Sequence, residues 1–279
     1  MEPDARRRRL LSAAPALTLI GLTGCVTPPP DTPGRTYPAV PAFSGAAAGG
    51  PTPEGWRPYL LRPDRMKTVY SMEQRAGRTV LRAVADSAAS GLSCAVDIDP
   101  RRTPWLRWEW RADNVHAKAT VAHDVLEDTP ARLVVAFGGD IATLPLRDRI
   151  FFEQVEVFTG NVLPFATLTY VWDGQLPVGT MLSYGRSDRI RYDVVESGVA
   201  RAGQWLRYER NVLDDYQRVF GEALKGHVSS VGVLTDSDDL KNHVEAWYGD
   251  IGLYAARQGR FSMATGSIAS AGTKPNTLA

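Results

Sequence analysis

Over much of its length the chain alternates apolar and polar side chains with the two-residue period of a β-strand, in short runs broken by Gly, Pro and Asp. The clearest run places Leu106, Trp108 and Trp110 on one side and Arg107, Glu109 and Arg111 on the other. Similar alternation sets Ile190, Tyr192 and Val194 against Arg189, Arg191 and Asp193, and Trp247, Ile251 and Leu253 against Tyr248, Asp250 and Tyr254. Ten β-type runs follow, at 67–72, 78–87, 91–98, 105–112, 131–138, 166–173, 189–196, 204–212, 228–235 and 246–255. Strands at this spacing predict an all-β fold, a β-sandwich or jelly roll in which each strand buries one side. The exception is LRDRIFFEQVEVF at 146–158, where Ile150, Phe151, Val155 and Phe158 fit one helical stripe; a single inserted helix packed on a sheet is expected there.

The ends of the chain do not follow this pattern. Arg6 to Arg9 precede an apolar stretch from Leu10 to Ile20, which Leu22-Thr23-Gly24-Cys25 closes. A Leu and two small residues before Cys are what signal peptidase II needs, so residues 1–24 are expected to be a lipoprotein signal peptide and Cys25 the lipidated first residue of the mature protein. The apolar run is about a dozen residues where a membrane-spanning helix needs about 20. Acyl chains contribute roughly 0.8 kcal/mol per buried CH₂, enough for two or more to anchor the protein stably. Val26, where an Asp would retain a lipoprotein in the inner membrane, points to the periplasmic face of the outer membrane. Residues 25–54 are rich in Pro, Gly and Ala and read as a flexible tether with a reach on the order of 30 Å. A folded domain is expected over 55–257, and a disordered tail over 258–279.

Charge and motifs narrow the function. Removing residues 1–24 takes away four arginines and two acids, leaving 28 basic and 29 acidic residues, and no basic cluster remains to grip nucleic acid. Lipidation uses one of the two cysteines, so Cys94 has no partner for an intramolecular disulfide and reads as an inert thiol in a strand. The four histidines, 116, 123, 227 and 243, lack zinc-site spacing. No G-x-S-x-G, Walker or dinucleotide fingerprint is present.

The segments EDTPARLVVAF (127–137), LPFATLTYVWDGQLPVGT (163–180), SDRIRYDVVESG (187–198), GQWLRYERNVLDDYQRVFG (203–221) and VGVLTDSDDLKNHVEAWYGDI (231–251) resemble, in order, those of a proteobacterial family catalogued as domain of unknown function 3047. The resemblance runs from about residue 56 to 255. It implies an exported protein with a β-sandwich like galactose-binding and carbohydrate-binding modules, and no assigned activity or cofactor. Where the family often shows Asp-Thr-Asp-Asn-Thr-Gly, this chain has Asp236-Ser237-Asp238-Asp239-Leu240-Lys241, so the Thr-Gly turn is missing.

Candidate chemistry lies in that loop and among the aromatics. Three carboxylates within four residues, with Asp236 and Asp238 alternating onto one side, are hard oxygen donors of the kind Ca²⁺ coordinates; a solvated turn is the other reading, and the EF-hand pattern is absent. A structural calcium is the one cofactor the sequence suggests. Asp214 with Asp215 offers two more carboxylates. Of seven tryptophans, Trp108, Trp110 and Trp247 belong inside, whereas Trp172, beside Asp173 and Gly174 at a strand end, is placed at a site mouth where it would stack on a sugar ring. Arg132, opposite Leu133, Val135 and Phe137, would donate to a carboxylate or vicinal hydroxyls, or else pair with a cross-strand acid such as Glu109 or Asp250. The expectation is a non-catalytic binding domain for a glycan or other envelope polymer. The alternatives are a glycan-acting enzyme using loop carboxylates and a structural lipoprotein that binds a protein partner.

Overall fold

A computed structural model describes residues 35–258. Thirteen strands form two sheets: β1 (Trp56–Tyr59), β2 (Val69–Arg75), β3 (Arg78–Asp86), β4 (Ala89–Ile98), β5 (Trp105–Ala112), β6 (Arg132–Phe137), β7 (Ala166–Asp173), β8 (Met181–Tyr184), β9 (Ser187–Ser197), β10 (Leu206–Asn211), β11 (Val228–Asp236), β12 (His243–Tyr248) and β13 (Gly252–Tyr254). One sheet runs β1-β4-β11-β6-β7-β9-β8 and the other β10-β5-β12-β3-β2, with β13 also paired to β5. All pairings are antiparallel except β7 with β9. The architecture is therefore the expected all-β sandwich. Its interior holds Leu81, Leu106, Leu133, Val135, Leu168 and Val231, all fully buried, and the ring of Trp108 spans the layers to Tyr170 with centroids 4.9 Å apart.

Alternation predicts β5 correctly: Leu106, Trp108 and Trp110 face the core, and Arg107, Glu109 and Arg111 the outside. It inverts β12. There Ala246 and Tyr248 enter the core, while Trp247 lies on the outer face, covered by the guanidinium groups of Arg75 and Arg111 at 3.8 and 5.6 Å. The expected run at 246–255 is in fact two strands, and the irregular residues 249–251 between them shift the phase so that Ile251 returns to the core. Strand β9 buries both sides only in its second half, over residues 192–196. Ile190 and Tyr192 face away from the inter-sheet core, whereas Asp193 turns inward to Arg210 and Arg218 at 3.1 and 2.5 Å. β1 and β8 have no counterpart among the expected runs; β1 carries Pro58, which an edge strand tolerates because one side needs no ladder hydrogen bond.

Two α-helices accompany the sheets. The expected one is α1 (Leu146–Thr159), closed by Gly160 in the left-handed conformation. Its inward face is Phe151, Phe152 and Val155, while Ile150 and Phe158 from the expected stripe are exposed. The second, α2 (Val212–Phe220), follows β10 directly. Asn211 caps it by accepting from the backbone N–H of Leu213 and Asp214, and Val212, Tyr216 and Val219 pack into the core. Its Asp215 does not stand as a free carboxylate beside Asp214: it holds Arg210, Arg218 and the Tyr170 hydroxyl.

The domain begins earlier than residue 55. Tyr37 forms a parallel bridge with Val96, Phe43 is completely buried against Trp56 with ring centroids 4.7 Å apart, and the Trp56 indole N–H donates to the Pro41 carbonyl at 2.9 Å. Residues 37–54 are therefore a packed strap and not a free tether. The few aromatics of a Pro-rich stretch suffice for this, since a buried Phe supplies about 1.5–3 kcal/mol. The expected signal peptide, Cys25 and all but the first residue of the expected tail lie outside the described residues. No helix among the described residues is long and apolar enough to cross a membrane.

Candidate binding cavity

The outer face of the seven-stranded sheet carries a cavity of about 370 Å³. It exists because most outward positions of the central strands are small, Ser93 on β4, Ser230 and Gly232 on β11, Ala136 on β6 and Thr167 and Thr169 on β7, with Val134 and Leu234 the larger ones between them. Gly232 is required by its neighbour, since a Cβ there would sit 2.9 Å from the Leu92 carbonyl oxygen. Larger residues wall this floor. Tyr59, Tyr184 and Tyr192 line it from β1, β8 and β9, and α1 supplies Phe151 and Val155, which with Leu163 and Ile190 make one region apolar.

The polar region centres on Arg132. Its Nη1 donates to Glu127 Oε1 at 2.9 Å and its Nη2 to Asp236 Oδ2 at 3.2 Å, and the same side chain also donates to the Thr129 hydroxyl and the Glu127 carbonyl. Burial opposes the Arg132 charge, but Glu127 and Asp236 more than offset this and raise its pKa. Glu127 also accepts from the Tyr192 hydroxyl at 2.6 Å. Burial and then Glu127 push that phenol well above its usual range. Asp236 lies beside Asp238. Burial, reinforced by the Asp238 carboxyl and opposed by Arg132, raises Asp236 well above the ordinary carboxylate range. Asp238 is itself paired with Arg65.

The structure brings Arg132, Asp236 and Asp238 to one cavity and places Trp172 and Asp173 elsewhere. Trp172 is not at a site mouth: it is fully buried in the core and its indole N–H donates to the Gly198 carbonyl at 2.9 Å. β7 faces the core at Leu168, Tyr170 and Trp172, so the strand-end position did not expose the ring. Asp173, also fully buried, accepts from the backbone N–H of Val121, Gln175 and Leu176 and ties two loops together. None of the seven tryptophans lines the cavity; its aromatic surface is tyrosine and phenylalanine. Arg132 does not reach Glu109 or Asp250, because Glu109 sits on the other sheet with Arg78 and Arg207, and Asp250 holds Ser44. The carboxylate oxygens that approach one another as metal ligands would are those of Asp128, Asp238 and Asp239, all within 4.8 Å. Asp236 is outside that group and pairs with Arg132, and Asp128 already accepts from the backbone N–H of Asp239 at 2.8 Å and of Leu240. Sequence reasoning missed Glu127, Tyr192 and Tyr184. The signal it had was the run of small outward residues on strands whose other face is apolar.

The fold and this cavity define a class, a jelly-roll β-sandwich with a ligand-sized recess on one sheet. The chain belongs to the family described as "Protein of unknown function (DUF3047)", which matches residues 54–252. No curated protein matches the sequence. Solved structures similar to it include endoglucanase cel12A from Rhodothermus marinus, with TM-score 0.42 and 10% identity over 78% of this chain and 95% of that one. The family 11 carbohydrate-binding module from Clostridium thermocellum gives TM-score 0.35 and 9% identity over 78% and 95%. An arabinose-bound α-L-arabinofuranosidase gives TM-score 0.38 and 10% identity over 76% of this chain, which spans only 25% of that one.

Proposed function

We propose that the protein is a non-catalytic, lipid-anchored lipoprotein of the outer membrane's periplasmic face whose cavity takes a saccharide unit of an envelope glycan. The observation that carries this is the composition of the cavity. A floor of small residues leaves space for a ring, aromatic and aliphatic side chains offer an apolar surface, and charged groups converge at one region where hydroxyls need partners. Binding is favoured over hydrolysis because three of the cavity's carboxylates are already held in ion pairs, Glu127 and Asp236 by Arg132 and Asp238 by Arg65. Acylation at Cys25 would leave ten residues before Arg35, so the packed strap would keep the domain within about 35 Å of the bilayer. A glycan array probed with the full chain tests the reading against an Ala136→Trp variant, which fills the floor of the cavity. Selective saccharide binding by the parent and its loss in a variant of unchanged melting temperature support it. Absence of any saccharide binding, or binding indifferent to the substitution, refutes it.

A further inference from the structure

The cavity's charges do not balance. Five carboxylates reach its lining, those of Asp124, Glu127, Asp236, Asp238 and Asp239, against the guanidinium groups of Arg62, Arg65 and Arg132. Each of these guanidinium groups already holds an acid: Arg132 has Glu127 and Asp236, Arg65 has Asp238, and Arg62 has Asp64 at 2.7 Å. An anionic sugar entering the cavity would therefore meet surplus negative charge and have to displace an existing ion pair to find a cation. The surplus is concrete. Asp124 makes no hydrogen bond or ion pair among the described residues, and Asp239 has a backbone hydrogen bond from Glu127 but no cation nearer than Arg65 at 3.8 Å. Burial, then Asp238 and Asp128, raise the Asp239 carboxyl above its usual range, as expected of a group short of positive charge.

We propose that the saccharide taken by this cavity carries a protonated amine, as a hexosamine with a free amino group does, and that the ammonium binds at its carboxylate-rich region while the apolar face of the ring lies toward Phe151 and Val155. The inference rests on the saccharide reading above and narrows it to one ligand chemistry. An ammonium group is all donor and an ionised carboxylate is all acceptor, so each hydrogen bond formed between them is charge-assisted. Acetylating the amine removes both its charge and two of its three donors.

The test is a calorimetric titration of the full chain with an oligomer of glucosamine, its fully N-acetylated counterpart and an oligogalacturonate, in mildly acidic buffer of low ionic strength. The amine form should bind at least about tenfold more tightly than the acetylated form, with an affinity that falls as salt is added. Asp124→Asn, at an exposed position, should reduce that preference about threefold without changing the melting temperature, and Asp124→Glu should retain it. If the acetylated oligomer binds as tightly as the amine, or the oligogalacturonate is preferred, this inference fails while the saccharide reading stands. If none of the three binds and a glycan array is also blank, both fail.

Discussion

Arg132 is the charge on which the cavity's acidic region depends, and replacing it by Met isolates its contribution. Met keeps an unbranched stem of similar length and removes the guanidinium. Arg132 and Asp236 expose only 6% and 7% of their side chains, so the variant leaves Asp236 buried beside Asp238 with no counter-ion, and Glu127 keeps only Tyr192. Removing one partner of a buried ion pair costs about 3–5 kcal/mol, a large fraction of the 5–15 kcal/mol typical of a domain. The sign of its pH dependence follows from Asp236. Its folded-state pKa is already raised above the unfolded value, and losing Arg132 raises it further. An acid whose folded pKa is raised costs no stability below the ordinary aspartate value of about 3.9 and an increasing amount as pH rises from there toward the folded value, so the penalty is larger at neutral pH than near pH 4. Urea denaturation of parent and variant at neutral pH and near pH 4 measures both quantities. Adding Asp236→Asn to the variant should return about 1–3 kcal/mol, because the two sites are in contact and their effects do not add. A loss under about 1 kcal/mol at neutral pH, or one that does not shrink in acid, would refute the reasoning.

Trp108→Ala should destabilise by about 3–5 kcal/mol, since its ring fills the space between the sheets, and Trp247→Ala on the arginine-covered outer face should cost less; equal losses in chemical denaturation would contradict the β12 register. Asp215 is buried, which opposes its charge, but Arg210 and Arg218 outweigh this and hold its pKa below the usual range. Its contribution is therefore full above about pH 4 and lost as pH falls through the lower folded value, so the stability gap between parent and Asp215→Asn should close in strong acid; a gap that widens there would be inconsistent. Cys25→Ser should leave an unprocessed precursor without palmitate labelling, and labelling that persists would end the lipoprotein reading.

How much of this was legible in the sequence depended on whether local pattern or tertiary contact decided the matter. β5 was readable because its alternation is unbroken from Leu106 to Ala112 and one face meets a continuous core. Strand β12 was not, because an irregular step at 249–251 reverses the phase of every residue before it. Helix α2 carried a readable signal, an Asn cap followed by Val212, Tyr216 and Val219 at helical spacing and Gly221 at the end, but it abuts β10 without a break and the strand run obscured it. The strap at 37–54 lacked periodicity altogether, and its burial comes from the long-range contacts of Tyr37 and Phe43. Of the candidate site, Arg132, Asp236 and Asp238 were identified as chemistry-bearing, yet their partners Glu127 and Arg65 lie on separate loops whose approach is a property of the fold. Trp172 failed because a strand end need not be a surface.

The central claim, that the recess on the seven-stranded sheet is the ligand site, is tested most directly by mapping a bound saccharide with amide chemical shifts. Titration of the labelled protein with an oligosaccharide that binds should perturb Val134, Thr169 and Gly232 on the cavity floor and Tyr192 on its wall, leaving the outward residues Arg107, Glu109 and Arg111 of the other sheet unmoved. Perturbations confined to the six-stranded sheet, with the cavity floor silent at saturation, would contradict it.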